Sequence, residues 1–401
     1  MNNSSTDTKT HSCAMSVELS QTASRLYYMD NLRALAMLLG VVFHAALAYS
    51  PRLHESWFTS DQQNSIFLEF SVYFLHLFRM PLFFFISGFF ALMMIEKKSA
   101  RAYLQNRSKR ILLPFVLFLP LLIGSIMFLI AWALGNVDNP PIFLQFLGSP
   151  EARQMGPSTM HLWFLFNLYL FAIMAVCLHK MKLFSHTVSK LLATKPFFLL
   201  VLPLLLLPAL ISQSSPLPAA DKFYPQLWSF GFYGVLFLAG GLLYKHQQLL
   251  SDLFSYQTAL LAVSVITYVY FYKHIPAELK VNVAQESVTW SLSHSILALT
   301  EAIIAVYMTL YCLIVGKRLL NTKNRILTFI ADSSYWTYLL HIPILLFIQF
   351  YLLNLDINMW VKFLISVSVT LLICFFSYQV FVKKTLIGRL LNGKKRRKNV
   401  S

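Results

Sequence analysis

The stretch Asp30-Asn-Leu-Arg33-Ala-Leu-Ala-Met-Leu-Leu-Gly40-Val-Val-Phe-His44-Ala-Ala-Leu-Ala-Tyr49 is apolar enough to cross a bilayer, yet it embeds an arginine and a histidine. A membrane-spanning helix needs ~20 such residues. A charged side chain near its centre costs ~2.5–3.5 kcal/mol, so such residues turn inward, toward other helices. Arg33 and His44 are 11 positions apart. At ~100° and ~1.5 Å per residue they lie ~20° apart around the helix and ~16.5 Å apart along it. Asp30, three positions before Arg33, shares the stripe. One reading is a polar line facing a shared chamber, with Arg33 at its inner mouth. The other is an arginine that snorkels to the interface and a histidine bonded to a nearby carbonyl.

Working outward, the composition requires more spans of this kind. Of 401 residues 57% are hydrophobic and 12% charged, with 35 phenylalanines; soluble domains have ~45–50% and ~25%. That balance excludes a soluble multidomain chain, a disordered chain, a coiled coil and a disulfide-stapled module. Ten apolar windows follow, at 30–50, 66–95, 111–134, 161–178, 196–211, 227–244, 254–272, 290–316, 326–353 and 360–382. The fifth is short and proline-rich. The fold expected is all-α, a polytopic membrane protein of about ten transmembrane helices. With the N-terminus inside, 25 of the 33 Lys and Arg residues fall in cytoplasmic segments and 5 in the opposite loops. Both termini are therefore expected to be cytoplasmic.

A net charge of +17 would in a soluble protein raise the question of nucleic acid. Here the basic residues gather in loops between spans and suit anionic lipid headgroups, as does the tail Lys394-Lys-Arg-Arg-Lys398, so the partner expected is membrane lipid and no nucleic acid. Residues 1–29 have no basic n-region and no cleavable apolar segment, so the first hydrophobic stretch is expected to stay as the first span. Cysteines 13, 177, 312 and 374 form no CxxC pair, and no disulfide, metal site or thiol nucleophile is assigned.

Further ionisable residues fall where lipid should be. The second span contains His76-Leu-Phe-Arg79-Met-Pro81 and then Ser87-Gly88. His76 and Arg79 share a face at about the depth of His44. A mid-membrane arginine needs a partner, either an anionic intermediate or substrate carboxylate, or a structural ion pair. Pro81 and Gly88 are expected to loosen this helix and widen a cavity. Arg107-Ser-Lys-Arg110 stands at the inner end of span three, as positive-inside decoration or as a phosphate clamp. His161-Leu-Trp163 opens span four, with Trp163 read as part of an interfacial belt. Span eight carries His294 and Glu301 on one face, and span nine Asp332-Ser-Ser-Tyr335 and His341. Lys362 also falls within a span. His44, His76, Arg79, Glu301 and His341 at overlapping depths imply a polar cavity.

Several of these elements resemble, in order, the signature of the acyltransferase-3 family of inner-membrane O-acyltransferases: Arg33 and His44 with ten residues between, Ser87-Gly88, Arg107-x-x-Arg110, and Ser334-Tyr335…Tyr338-Leu339…His341-x-Pro343. The strings Phe78-Arg79-Met-Pro-Leu-Phe-Phe-Phe-Ile-Ser-Gly88 and His161-Leu-Trp-Phe-Leu165 are similar to its glucan-succinylating branch. The resemblance spans about residues 25–385. Many members carry an acidic pair after the Leu-Trp element, where this chain has Asn167.

The resemblance implies a membrane acyltransferase domain over 30–383, flanked by a cytoplasmic tail (1–29) and a basic cytoplasmic tail (384–401), in a bacterial inner membrane. It implies an acyl-CoA co-substrate with no bound cofactor or metal, acetyl or succinyl as the acyl group, and a periplasmic or envelope glycan as acceptor. Envelope glycan-synthesis proteins are possible partners. In this reading Arg107, Arg110 and Ser87 bind acyl-CoA, Arg33 guides its thioester end and Asp30 orients Arg33. His44 is the base or transient acyl carrier, Arg79 with His76 stabilises the oxyanion or acyl carboxylate, and His161, His341 and Glu301 line the acceptor side. A proton-coupled transporter of an anionic solute is the competing class, with the same residues as a relay.

Overall fold

The computed structural model describes residues 26–154, 156–182, 185–276 and 290–393. Most of the expected N-terminal tail, Cys13 and the basic run Lys394 to Lys398 lie outside them. Among the described residues nine helices are long and apolar enough to span a membrane. They are α1 (Tyr27–Tyr49), α2 (Ile66–Lys97), α3 (Ala100–Asn136), α4 (Met160–Lys180), α6 (Leu227–Lys245), α7 (Gln248–His274), α8 (Leu292–Leu319), α9 (Arg325–Leu353) and α10 (Met359–Val382). The fifth expected window, 196–211, is the helix α5 (Phe197–Ile211), shorter than these nine. Five π-helical and ten α-helical residues carry it, only ~22 Å of rise. No strand forms among the described residues; a lone bridge joins Ser158 and Lys222.

The starts of the helices follow local chemistry. Ser65, Ser99, Ser291, Asn324 and Asn358 each accept a backbone N–H of the first turn of α2, α3, α8, α9 and α10. These side chains satisfy donors that a helix start leaves open. Helix α3 begins eleven residues earlier than its apolar window, because its basic first turns continue into the span through a π-helical segment, Ser108–Leu112.

Helix α2 is the centre, with Phe83, Phe84, Phe85, Ile86 and Phe89 all buried. Helices α1, α6 and α8 pack on it, and α9 packs on α1. Helices α3 and α10 instead expose Leu121, Phe128, Leu372 and Phe376, which in a bilayer face lipid tails. The expectation that Gly88 loosens α2 is corrected. A Cβ at Gly88 would sit 1.7 Å from the Phe237 carbonyl oxygen, and one at Gly240 1.8 Å from that of Phe85. The two glycines bring the backbones of α2 and α6 into contact, as small residues do between membrane helices. Pro81 lies inside an unbroken α2. Trp163 turns inward, its ring 5.3 Å from that of Tyr233.

Lys362 is also resolved by a partner. Its Nζ lies 2.7 Å from Asp61 Oδ2, with both side chains buried, so it ties the α1–α2 connection to α10. Removing one member strands the other charge. Lys362→Met is therefore expected to cost ~3–5 kcal/mol and to lower the thermal midpoint in detergent. The double change Asp61→Asn/Lys362→Met should recover most of the loss; a single variant as stable as the parent would contradict the pairing.

Candidate active site

Helix α1 lays Arg33 and His44 along one wall, and α2 runs antiparallel beside it. The two meet at Gly40, where an added Cβ would fall 2.6 Å from Arg79 Nη1. The guanidinium thus lies against the α1 backbone about one turn below His44. Its carbon sits 4.9 Å from the centre of the Phe43 ring, a cation–π contact. Tyr233 and Tyr338 are its electrostatic neighbours. Arg79 is 8% exposed, and its Nε is buried without a hydrogen-bond partner. Among the described residues no carboxylate pairs with it; the ion pairs found are Arg52–Glu69, Lys245–Glu96 and Lys362–Asp61.

Four imidazoles gather near this cation. The His44 ring is 5.3 Å from that of His341, and the His341 ring 5.4 Å from that of His161. His44 also stacks on Trp57 at 5.9 Å, and His76 stacks on Phe43 at 6.0 Å. Carbonyl oxygens only accept hydrogen bonds, so they fix which ring nitrogen carries hydrogen. His341 Nδ1 donates to Tyr338 O at 2.8 Å and Thr337 O at 3.2 Å; the neutral ring keeps its lone pair on Nε2. His161 Nε2 donates to Leu339 O at 3.3 Å, and its buried Nδ1 has no partner. His76 Nε2 donates to Leu217 O at 2.6 Å. His44 Nδ1 is buried without a partner.

The acyl-CoA residues of the sequence reading form a second group, at the other end of α1. Arg33 is accessible to solvent there, and Asp30 and Arg107 are its electrostatic neighbours. Arg107 lies over the Tyr103 ring at 5.1 Å, with its Nε buried and unpartnered. Arg110 neighbours Arg107 electrostatically. The carbonyl of Arg110 accepts the Tyr335 hydroxyl at 2.8 Å, and its guanidinium rests against Gly393. Ser87, half-buried, is eight positions beyond Arg79 on the antiparallel helix, a rise of ~12 Å that brings it level with Arg33.

Glu301 stands apart from the imidazoles. It borders Tyr233 electrostatically, but its carboxylate accepts the Ser215 hydroxyl from the α5–α6 connection. His294, its partner on the helix face, bonds Ile211 O at 3.1 Å. Asn167, where an acid was absent, is buried and bonds Trp163 O, Ala220 O and the Ser229 hydroxyl, so it joins α4 to α6 and the connection before it. Phe43, Trp57, Tyr233 and Tyr338 complete the chamber and carried no ionisable signal in the sequence.

Residues 26–379 match the acyltransferase-3 family, described as an acyltransferase domain. The chain is 25% identical over 390 residues to the protein named Glucans biosynthesis protein C of Escherichia coli (strain K12), covering 93% of this chain and 95% of the relative. The protein of that name in Escherichia coli (strain SMS-3-5) is similar to the same degree and extent. No solved structure matches the chain.

Proposed function

From the premise that this chain belongs to the acyltransferase-3 family and is a multi-pass membrane acyltransferase, we propose that it moves an acyl group from cytoplasmic acyl-CoA to a hydroxyl of an envelope glycan. The name of the similar Escherichia coli proteins favours a glucan as acceptor, and a cytoplasmic donor with an envelope acceptor would put the protein in the inner membrane. The observation that carries the proposal is Arg79: a buried guanidinium with an orphaned Nε and no acidic partner among the described residues, ringed by imidazoles. A cation held so deep needs an anion, and acyl transfer supplies one in its tetrahedral intermediate.

The donor's phosphates dock at Arg107 and Arg110, near Ser87, where planar guanidinium forks suit phosphate oxygens. Arg33, oriented by Asp30, directs the thioester up the wall of α1. At the chamber His44 takes the proton of the acceptor hydroxyl. The hydroxyl oxygen attacks the thioester carbon, Arg79 holds the oxyanion beside the His76 ring, and the C–S bond breaks. His44 then returns the proton to the departing CoA thiolate. If His44 carries the acyl group first, the same proton count holds over two steps. His161 and His341 line the acceptor's approach.

Membranes containing the protein, given acetyl-CoA or succinyl-CoA and a glucan, are expected to release free thiol in proportion to glucan ester formed. Arg107→Ala and Arg110→Ala should raise KM for the donor ~10-fold or more, the cost of a charge-assisted bond, with a smaller change in kcat. A proton-coupled transporter would release no thiol, so its absence with every acyl donor rejects the proposal.

A further inference from the structure

We propose that Glu301 is a positioning residue: it holds residues 215–217 of the α5–α6 connection so that the Leu217 carbonyl fixes the His76 ring in the chamber. The kinetic part of this proposal rests on the acyl-transfer reading above; the structural part does not.

Connections ordinarily run over the surface, because buried backbone must find partners. This one, between Ile211 and Leu227, goes inward. Ser215 is 8% exposed, Leu217 4% and Ala220 1%. One end is fastened near the start of α4, where Thr159 N and Oγ1 both donate to Asp221 O at 2.7 and 2.9 Å. Asn167 holds Ala220 O at 3.0 Å. The other end is gripped from two helices at once. On α8, the Glu301 carboxylate accepts the Ser215 hydroxyl, two residues before Leu217. On α2, His76 Nε2 donates to the carbonyl of that same Leu217 at 2.6 Å.

A three-residue stretch of the connection thus stands between an acid, at Ser215, and an imidazole, at Leu217. No cation pairs with Glu301 among the described residues, and the Ser215 hydroxyl is its hydrogen-bond donor. The bond from His76 sets its tautomer: hydrogen on Nε2, lone pair on Nδ1. It also sets its plane, stacked 18° off parallel on Phe43, the ring over which Arg79 lies. Without Glu301 the segment from Ser215 to Leu217 loses its anchor on α8, and the carbonyl that sets the His76 tautomer and plane is no longer held in place. Glu301 therefore acts through the connection on a chamber residue, and it needs an acceptor oxygen there rather than a titrating proton.

The test uses purified full-length protein in detergent, with Cys13, Cys177, Cys312 and Cys374 replaced by serine and Leu217→Cys as reporter. Maleimide labelling of that cysteine is expected to be slow in the parent. It should be ~10-fold faster or more in Glu301→Ala, the effect of losing a buried hydrogen bond. In Glu301→Gln, whose amide oxygen still accepts the Ser215 hydroxyl, it should stay within ~3-fold of the parent. Glu301→Ala should lower kcat ~10-fold or more while Glu301→Gln restores it. Adding Glu301→Ala to His76→Ala should cost little further, because the two act as one unit. Unchanged labelling in Glu301→Ala overturns the proposal whatever the activity. So does Glu301→Gln as inactive as Glu301→Ala with a protected reporter, which would mark a proton-carrying acid. If labelling responds but no variant or parent transfers acyl groups, the acyltransferase reading fails and the holding role stands. Where Glu301→Ala does not accumulate, Ser215→Ala removes the same bond from the other side; no rise in labelling there overturns the proposal as well.

Discussion

His44→Ala is expected to lower thiol release and glycan acylation by ~10²–10⁴-fold, the usual contribution of a positioned general base, while the protein accumulates and purifies as the parent does. The two halves of this expectation come from the same geometry. His44 Nδ1 has no hydrogen-bond partner, so its loss strands no buried donor or acceptor and the fold does not depend on it. The surrounding imidazoles cannot replace it directly. His341 and His161 each donate one ring hydrogen to a main-chain carbonyl, which ties their rings to α9. His44 stands on α1, between His341 and Trp57, on the stripe that leads up from Arg33. Initial rates of thiol release from membranes with matched protein levels decide the matter. Undiminished acylation by the alanine variant would remove His44 from the chemistry and leave the chamber without its base.

Gly88→Leu and Gly240→Leu should each abolish assembly, seen as loss of the monodisperse species in detergent and of membrane accumulation. Ordinary overpacking costs ~1–3 kcal/mol because side chains and backbone shift by small amounts. Here the obstructing atoms are main-chain carbonyls of Phe237 and Phe85, under 2 Å from a new Cβ, and they cannot rotate away. Helices α2 and α6 would have to separate along their length, opening voids around Phe84, Phe85 and Phe237, all buried. Gly124→Ala is the control, since a Cβ there meets nothing within 4 Å and alanine favours helix. Folded, active Gly240→Leu protein would show that the α2–α6 contact is looser than described.

The part of this architecture that was legible in the sequence is the part written in periodicity and cost. Arg33 and His44 could be placed on one stripe because helical rotation is fixed, and His76, Arg79 and His341 stood out because charge or polarity in an apolar span demands a reason. What was illegible had no such contrast. Phe43, Trp57 and Tyr233 are aromatic residues in a chain that is 15% aromatic, so nothing marked them as chamber walls. Gly40 and Gly88 carry no chemistry, and glycine is common in membrane helices for opposite reasons; only the neighbour's position tells a close approach from a loose turn. The inward turn of the connection at Ser215, Leu217 and Ala220 was hidden because a polar connection reads as surface. Glu301 was visible as a buried acid, but its bond to that connection was not.

Helix α5 sets a condition on the bilayer itself. Its ~22 Å of rise falls ~8 Å short of a ~30 Å hydrocarbon layer, while its neighbours α6 and α8 are long enough to cross it. Lipid beside α5 must therefore compress, or headgroups and water must dip inward along that flank. The dimple lies next to the stretch joining α5 to α6, so the thickness and acyl-chain length of the host membrane act on the flank of the protein from which Leu217 meets His76.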